Sequence, residues 1–108
     1  MNNFLSEVQK KNYKNYGAIV IKNVFKPWIK SLQKGFDKVL TNPGSHAREN
    51  VKTKGEGRFF EDYCNWDRIV EFKKFVKESP AAQIVSEATS SKSIQVFHDH
   101  IFCFCCII

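Results

Sequence analysis

Ser93-Ile94-Gln95-Val96-Phe97-His98-Asp99-His100-Ile101-Phe102 is the stretch whose reading decides the fold. Its β-branched and aromatic residues make it the strongest strand candidate in the chain. In a strand, side chains two positions apart share a face. Ile94, Val96, His98, His100 and Phe102 then fall on one side, and Gln95, Phe97, Asp99 and Ile101 on the other. A face that runs apolar, apolar, His, His, apolar describes a sheet that starts in a core and opens into a pocket. Everything upstream reads as helical scaffold leading to it.

That scaffold begins with a helix over residues 3–15, with Phe4, Leu5 and Val8 on one side and lysines opposite, closed by Gly17. Residues 17–22 (GAIVIK) read as a short buried strand. The clearest helix covers 26–41, where Phe25, Trp28, Ile29, Leu32, Phe36, Val39 and Leu40 follow a 3.6-residue period and Pro27 sits in the first turn. Lys26, Lys30, Lys34 and Lys38 recur every four residues on another face. Like charges at that spacing oppose the helix mildly; the row reads as a solvated face, with an anion site as the alternative. Residues 43–57 form a long polar loop with three glycines, and its Lys-Gly-Glu-Gly-Arg segment lacks the ending of a phosphate-binding loop. Residues 58–66 mix aromatics with Glu61, Asp62 and Arg58. Helices are expected over 67–78, with Asp67 near its start, and over 80–89, with Ser79 as cap and Pro80 at the first position.

A chain of 108 residues with 43% hydrophobic and 14% aromatic content is one small domain or part of a larger one, and too aromatic for disorder. Its net charge of +6 comes mostly from lysines spread along the sequence. A nucleic-acid footprint would cluster them, so no nucleic-acid partner is expected. Residues 1–16 lack the apolar centre of a secretory signal, and no run approaches the roughly 18 apolar residues of a membrane span. Membrane association is not the first expectation and the default compartment is cytoplasmic. Four cysteines, three of them at 103, 105 and 106, do not form a distributed disulfide framework.

His98 and His100 on one face invite a metal reading if a third ligand comes from elsewhere, such as a distant carboxylate or Cys106. Otherwise they line a pocket. A zinc module of His98, His100 and the cysteine tail is one alternative. A tether through a prenylated Cys105, four residues from the end, is another. No histidine is followed at two positions by an aspartate, so the chain holds no His-x-Asp for non-haem iron. No serine sits in a nucleophile elbow, and Cys64 has no base evident in sequence, so it reads as structural.

Three segments together resemble the phytanoyl-CoA dioxygenase family: residues 16–25 (YGAIVIKNVF), residues 58–69 (RFFEDYCNWDRI), and Ser79-Pro80-Ala81-Ala82 running on to residues 96–102 (VFHDHIF). The resemblance spans about residues 3–102 and the N-terminal half of that family's domain. It implies an α+β fold, with helices flanking the first strands of an incomplete double-stranded β-helix, a cupin-like jelly roll. Residues 1–102 would be that part-domain and 103–108 an atypical Cys-rich tail. The activity implied is that of an Fe(II)- and 2-oxoglutarate-dependent dioxygenase hydroxylating a small-molecule or acyl-CoA substrate. By the same resemblance Arg58 and His100 belong to the 2-oxoglutarate pocket. The family's iron-binding His-x-Asp would follow the organising strand, where this chain reads Cys103-Phe104-Cys105-Cys106-Ile107-Ile108. The expectation is therefore an oxygenase fragment with no catalytic or metal-ligating residues of its own, inactive and poorly stable in isolation. Neither substrate nor oligomeric state is legible.

Overall fold

The computed structural model describes residues 2–51 and 53–105, with side chains as far as Phe104. Helix α1, Glu7–Tyr16, starts at a full capping box. The Ser6 hydroxyl accepts from Gln9 N, and the Gln9 side chain accepts from Ser6 N. It stops at Gly17, whose φ of 77° is the left-handed cap conformation, with its N–H donating to Tyr13 O. No residue of α1 is buried. Leu5, just before the cap, carries the burial instead. The Glu87 carboxylate anchors this end, accepting from Leu5 N at 2.8 Å and Phe4 N at 3.2 Å. Those bonds favour the ionised form and hold the Glu87 carboxyl below its usual range.

Residues 17–22 are extended but pair with no strand among the described residues, which corrects the expected buried strand. Val20 there is 80% exposed. A strand needs a partner for its backbone, and β-branched composition does not supply one. A 3-10 turn over Lys26–Trp28 then leads into α2, Ile29–Thr41. Helix α3, Val70–Glu78, lies against α2. Gly35 allows the close approach: a Cβ there would come within 2.7 Å of the Phe72 ring. Phe25 and Trp28 meet Phe75 edge-to-face at 5.2 and 5.6 Å. Lys38 leaves the expected solvated row to donate to Glu71 Oε1 at 2.6 Å. That bond lowers the Glu71 carboxyl pKa, against a desolvation that raises it. Helix α4, Ala81–Thr89, packs beside α1 and α3.

Three strands form an open antiparallel sheet in the order β1-β2-β3: Arg48–Glu49, Arg58–Tyr63 and His100–Cys105. The long loop over 43–57 thus contains a two-residue strand. The organising strand begins later than its composition suggests. Ile94–Phe97 have no ladder partner among the described residues, and Phe97 is 92% exposed. Pairing starts where β2 is available, Tyr63 opposite His100 and Arg58 opposite Cys105. β3 consequently crosses the boundary expected between residues 102 and 103.

One sheet face is covered. Phe60, with Ile101 and Cys103 beside it, packs onto Val39 of α2 and Ile69 and Phe72 at α3. The other face, carrying Phe59, Glu61 and Tyr63 of β2 and His100, Phe102 and Phe104 of β3, is open, with Phe104 72% exposed. The radius of gyration is 16.6 Å, against about 13 Å for a globular domain of this length. The described residues thus form an α+β arrangement of four α-helices and one open sheet, with α2 and α3 packed on one face of it.

Candidate functional site

The open face gathers the chemistry of the chain. All three histidines surround one residue, Tyr63. His46, from the loop after α2, stacks on the Tyr63 ring at 4.2 Å and 15°. His100, the cross-strand partner of Tyr63, is tilted against it at 5.3 Å, and His98 meets it edge-on at 6.2 Å. The rings continue along β3 and β2: His100 stacks on Phe102 at 4.2 Å, and Phe59 stacks on Phe104 at 4.7 Å. Glu61 lies on the same face, its Oε2 3.6 Å from His100 Nε2. This is longer than a hydrogen bond.

A polar turn behind this face fixes its end. Cys64 adopts a left-handed φ of 61°, and the chain turns from β2 toward α3. Asp99, between the two strand histidines, points away from them. Its carboxylate accepts from Asn65 N and Trp66 N, each at 2.9 Å, while its carbonyl accepts from Cys64 N at 3.0 Å. Asn65 and Asp62 are fully buried. Asp62 accepts from Gly44 N at 2.7 Å and from Tyr63 N at 2.9 Å. Arg68 donates to Asn65 Oδ1 at 2.7 Å and to Asn42 O at 2.8 Å. The turn therefore clamps the loop that delivers His46 to the strand that carries Tyr63.

Arg58 and His100, assigned to one cosubstrate pocket by resemblance, are not brought together. They occupy opposite ends of the β2–β3 ribbon, about 17 Å apart at roughly 3.4 Å per residue. They also occupy opposite faces: Arg58 lies over the Phe60 ring and pairs with Glu49 through both Nε and Nη2. His98 and His100 do share a region, with ring centroids 6.2 Å apart. Cys103 packs on the covered face, so it cannot join them in a zinc site. The side chain of Cys105 and all of Cys106 lie outside the described residues, as does the end of the expected tail. Among the described residues no three His, Cys, Asp or Glu side chains stand close enough to hold an ion without rearrangement. No helix among them is long and apolar enough to cross a membrane.

The sequence expectations assign no site role to Tyr63, Glu61 or His46. The first two were within reach, because residues 58–63 alternate faces as β2 does: Arg58, Phe60 and Asp62 against Phe59, Glu61 and Tyr63. His46 carries no such signal, since only the loop fold brings it to Tyr63. Compared with protein-family models, with curated proteins and with solved structures, the chain matches none.

Proposed function

We propose that this chain supplies the helix-backed wall of a 2-oxoglutarate-dependent dioxygenase of the phytanoyl-CoA dioxygenase type, and that alone it is inactive. The observation that supports this reading is the one-sided sheet. Its back is sealed by α2 and α3, while its front presents histidine, tyrosine, glutamate and a run of phenylalanines to solvent. A small-molecule pocket is lined by apolar and aromatic side chains with a few polar groups among them. An apolar sheet face left bare is costly, and a second sheet closing over it would complete both core and pocket.

The iron of such an enzyme does not fit the described residues. They hold no His-x-Asp and no group of three ligands. In this reading His100 lines the 2-oxoglutarate pocket with Tyr63 beside it, and Arg58, at the other end of the ribbon and paired with Glu49, is the basic residue that serves the same cosubstrate.

Sequencing the gene from codon 95 through several hundred bases beyond codon 108 tests the reading. The expected result is a frame that encodes a His-x-Asp soon after the organising strand. Absence of such a sequence in every frame overturns the proposal and leaves a binding module as the better description. Assays of succinate formation by the purified 108-residue chain with Fe(II) and 2-oxoglutarate are expected to show no turnover.

A further inference from the structure

We infer that the open face of the sheet binds a free α-amino acid with an apolar side chain, its carboxylate on Arg48, its ammonium on Glu61 and its side chain on the phenyl rings of β2 and β3. The inference concerns binding alone and is independent of the oxygenase reading. The strand register carries it. Directly opposed residues of an antiparallel pair share a face. Arg48 opposes Glu61 across β1 and β2, and Glu61 opposes Phe102 across β2 and β3. One row across the open face therefore reads cation, anion, apolar ring. In the next row Phe59 opposes Phe104 and stacks on it at 4.7 Å. Neighbouring strands lie about 4.8 Å apart, so the row from Arg48 to Phe102 spans about 10 Å of backbone.

Both charged side chains have bonding capacity to offer. Among the described residues the ion pairs of the sheet are Arg58 with Glu49 and His100 with Glu61. Arg48 joins neither, although Glu61 is its cross-strand neighbour. The Glu61 contact to His100 is 3.6 Å long and is an ion pair only when the imidazole is protonated. A carboxylate has about four acceptor positions, so Glu61 can still receive an ammonium. The planar fork of an arginine suits a ligand carboxylate. On this row a second carboxylate would face Glu61, and a simple amine would face Arg48. A zwitterion answers both charges. Bonds of about 1.5 Å keep its ammonium nitrogen about 2.5 Å from its carboxylate carbon, short enough to lie between two adjacent strands. Its side chain then falls toward β3, where Phe102 is 49% and Phe104 72% exposed. Rings left in water favour an apolar or aromatic group there.

The test titrates the full chain with L-phenylalanine and follows the backbone amide resonances. Saturable shifts confined to β1, β2 and β3 are expected, with a Kd on the order of 1 mM for a ligand of about twelve non-hydrogen atoms on an open face. Three partial analogues dissect the row: 3-phenylpropionate lacks the ammonium, phenethylamine the carboxylate and glycine the side chain. Each should bind about threefold or more weakly, a modest factor because exposed charges are screened. Two variants should then switch the preference. R48Q should bring L-phenylalanine down to the affinity of phenethylamine, and E61Q should bring it down to that of 3-phenylpropionate. A merely structural role for either residue would not exchange the ranking of analogues. Lys26→Gln, on the helical side, should leave binding within about twofold, and circular dichroism checks that every variant keeps its helices. Absence of saturable shifts at ten times the expected Kd overturns the proposal. So do shifts centred outside the sheet, or equal binding of L-phenylalanine and all three analogues, which would mark a merely sticky apolar face. Stronger shifts of Arg48 and Glu61 with 2-oxoglutarate than with L-phenylalanine also overturn it, because the row would then serve a dicarboxylate.

Discussion

Asp99→Ala should be among the most damaging single substitutions on the sheet side of the molecule. The carboxylate receives two backbone N–H groups, from Asn65 and Trp66, both at 2.9 Å. A hydrogen bond to a charged group contributes about 1.5–3 kcal/mol, and the orphaned donors then lack a partner. Asn65 is 1% exposed, so water does not easily replace the lost acceptor. Asp99 itself is only partly buried, and some charge assistance is screened, so a total of about 2–4 kcal/mol is expected. Asp99→Asn retains an acceptor oxygen and should cost roughly half as much. Urea titration followed by tryptophan fluorescence and far-ultraviolet circular dichroism measures both. Thermal melts should fall by at least about 8 °C for the alanine variant, since 1 kcal/mol shifts a domain of this size by about 4–8 °C. His98→Ala, on the exposed neighbour, is the control, with a change within about 0.5 kcal/mol. An alanine variant that melts with the parent, or an asparagine variant that costs as much as alanine, refutes the view that the Asp99 charge organises the turn.

Gly44→Ala should destabilise by about 1–3 kcal/mol in urea, because its Cβ would meet Asn65 Oδ1 at 2.5 Å and Asp62 Oδ2 at 3.0 Å, both on buried side chains. Gly35→Ala gains about 1 kcal/mol of helix propensity yet should still be net destabilising in the same assay, since the new methyl would sit 2.7 Å from Phe72. Glu71 adds a pH dependence. Lys38 holds its folded pKa below the usual 4.5, so its contribution is present above that value and is lost as pH falls through the folded pKa. Urea midpoints should decline on acidification below about pH 4.5, and Lys38→Met should lower stability at neutral pH and flatten that decline. An unchanged acid slope in Lys38→Met would show that other carboxylates, such as Glu87 at the N-terminal clamp, dominate it.

The helices were legible because their causes are local. Ser6 and Gln9, Gly17, Pro80 and the 3.6-residue spacing of Leu32, Phe36 and Val39 lie within a few residues of the bonds they control. The sequence by itself determined four helices, an α+β class, and a face on which His98 and His100 stand together. Tertiary structure decided the rest. Residues 17–22 and 94–97 have strand composition, yet neither is in the sheet, because a strand exists only where a partner satisfies its backbone. β2 became that partner, and its register fixed which residues meet. It placed Tyr63 beside His100, set Glu61 Oε2 3.6 Å from His100 Nε2, and sent Arg58 to the far end of the ribbon. The α-helix closes its hydrogen bonds four residues away, and the β2–β3 ladder pairs residues 37 to 47 positions apart. That difference in range is why the scaffold could be read from the chain and the site could not.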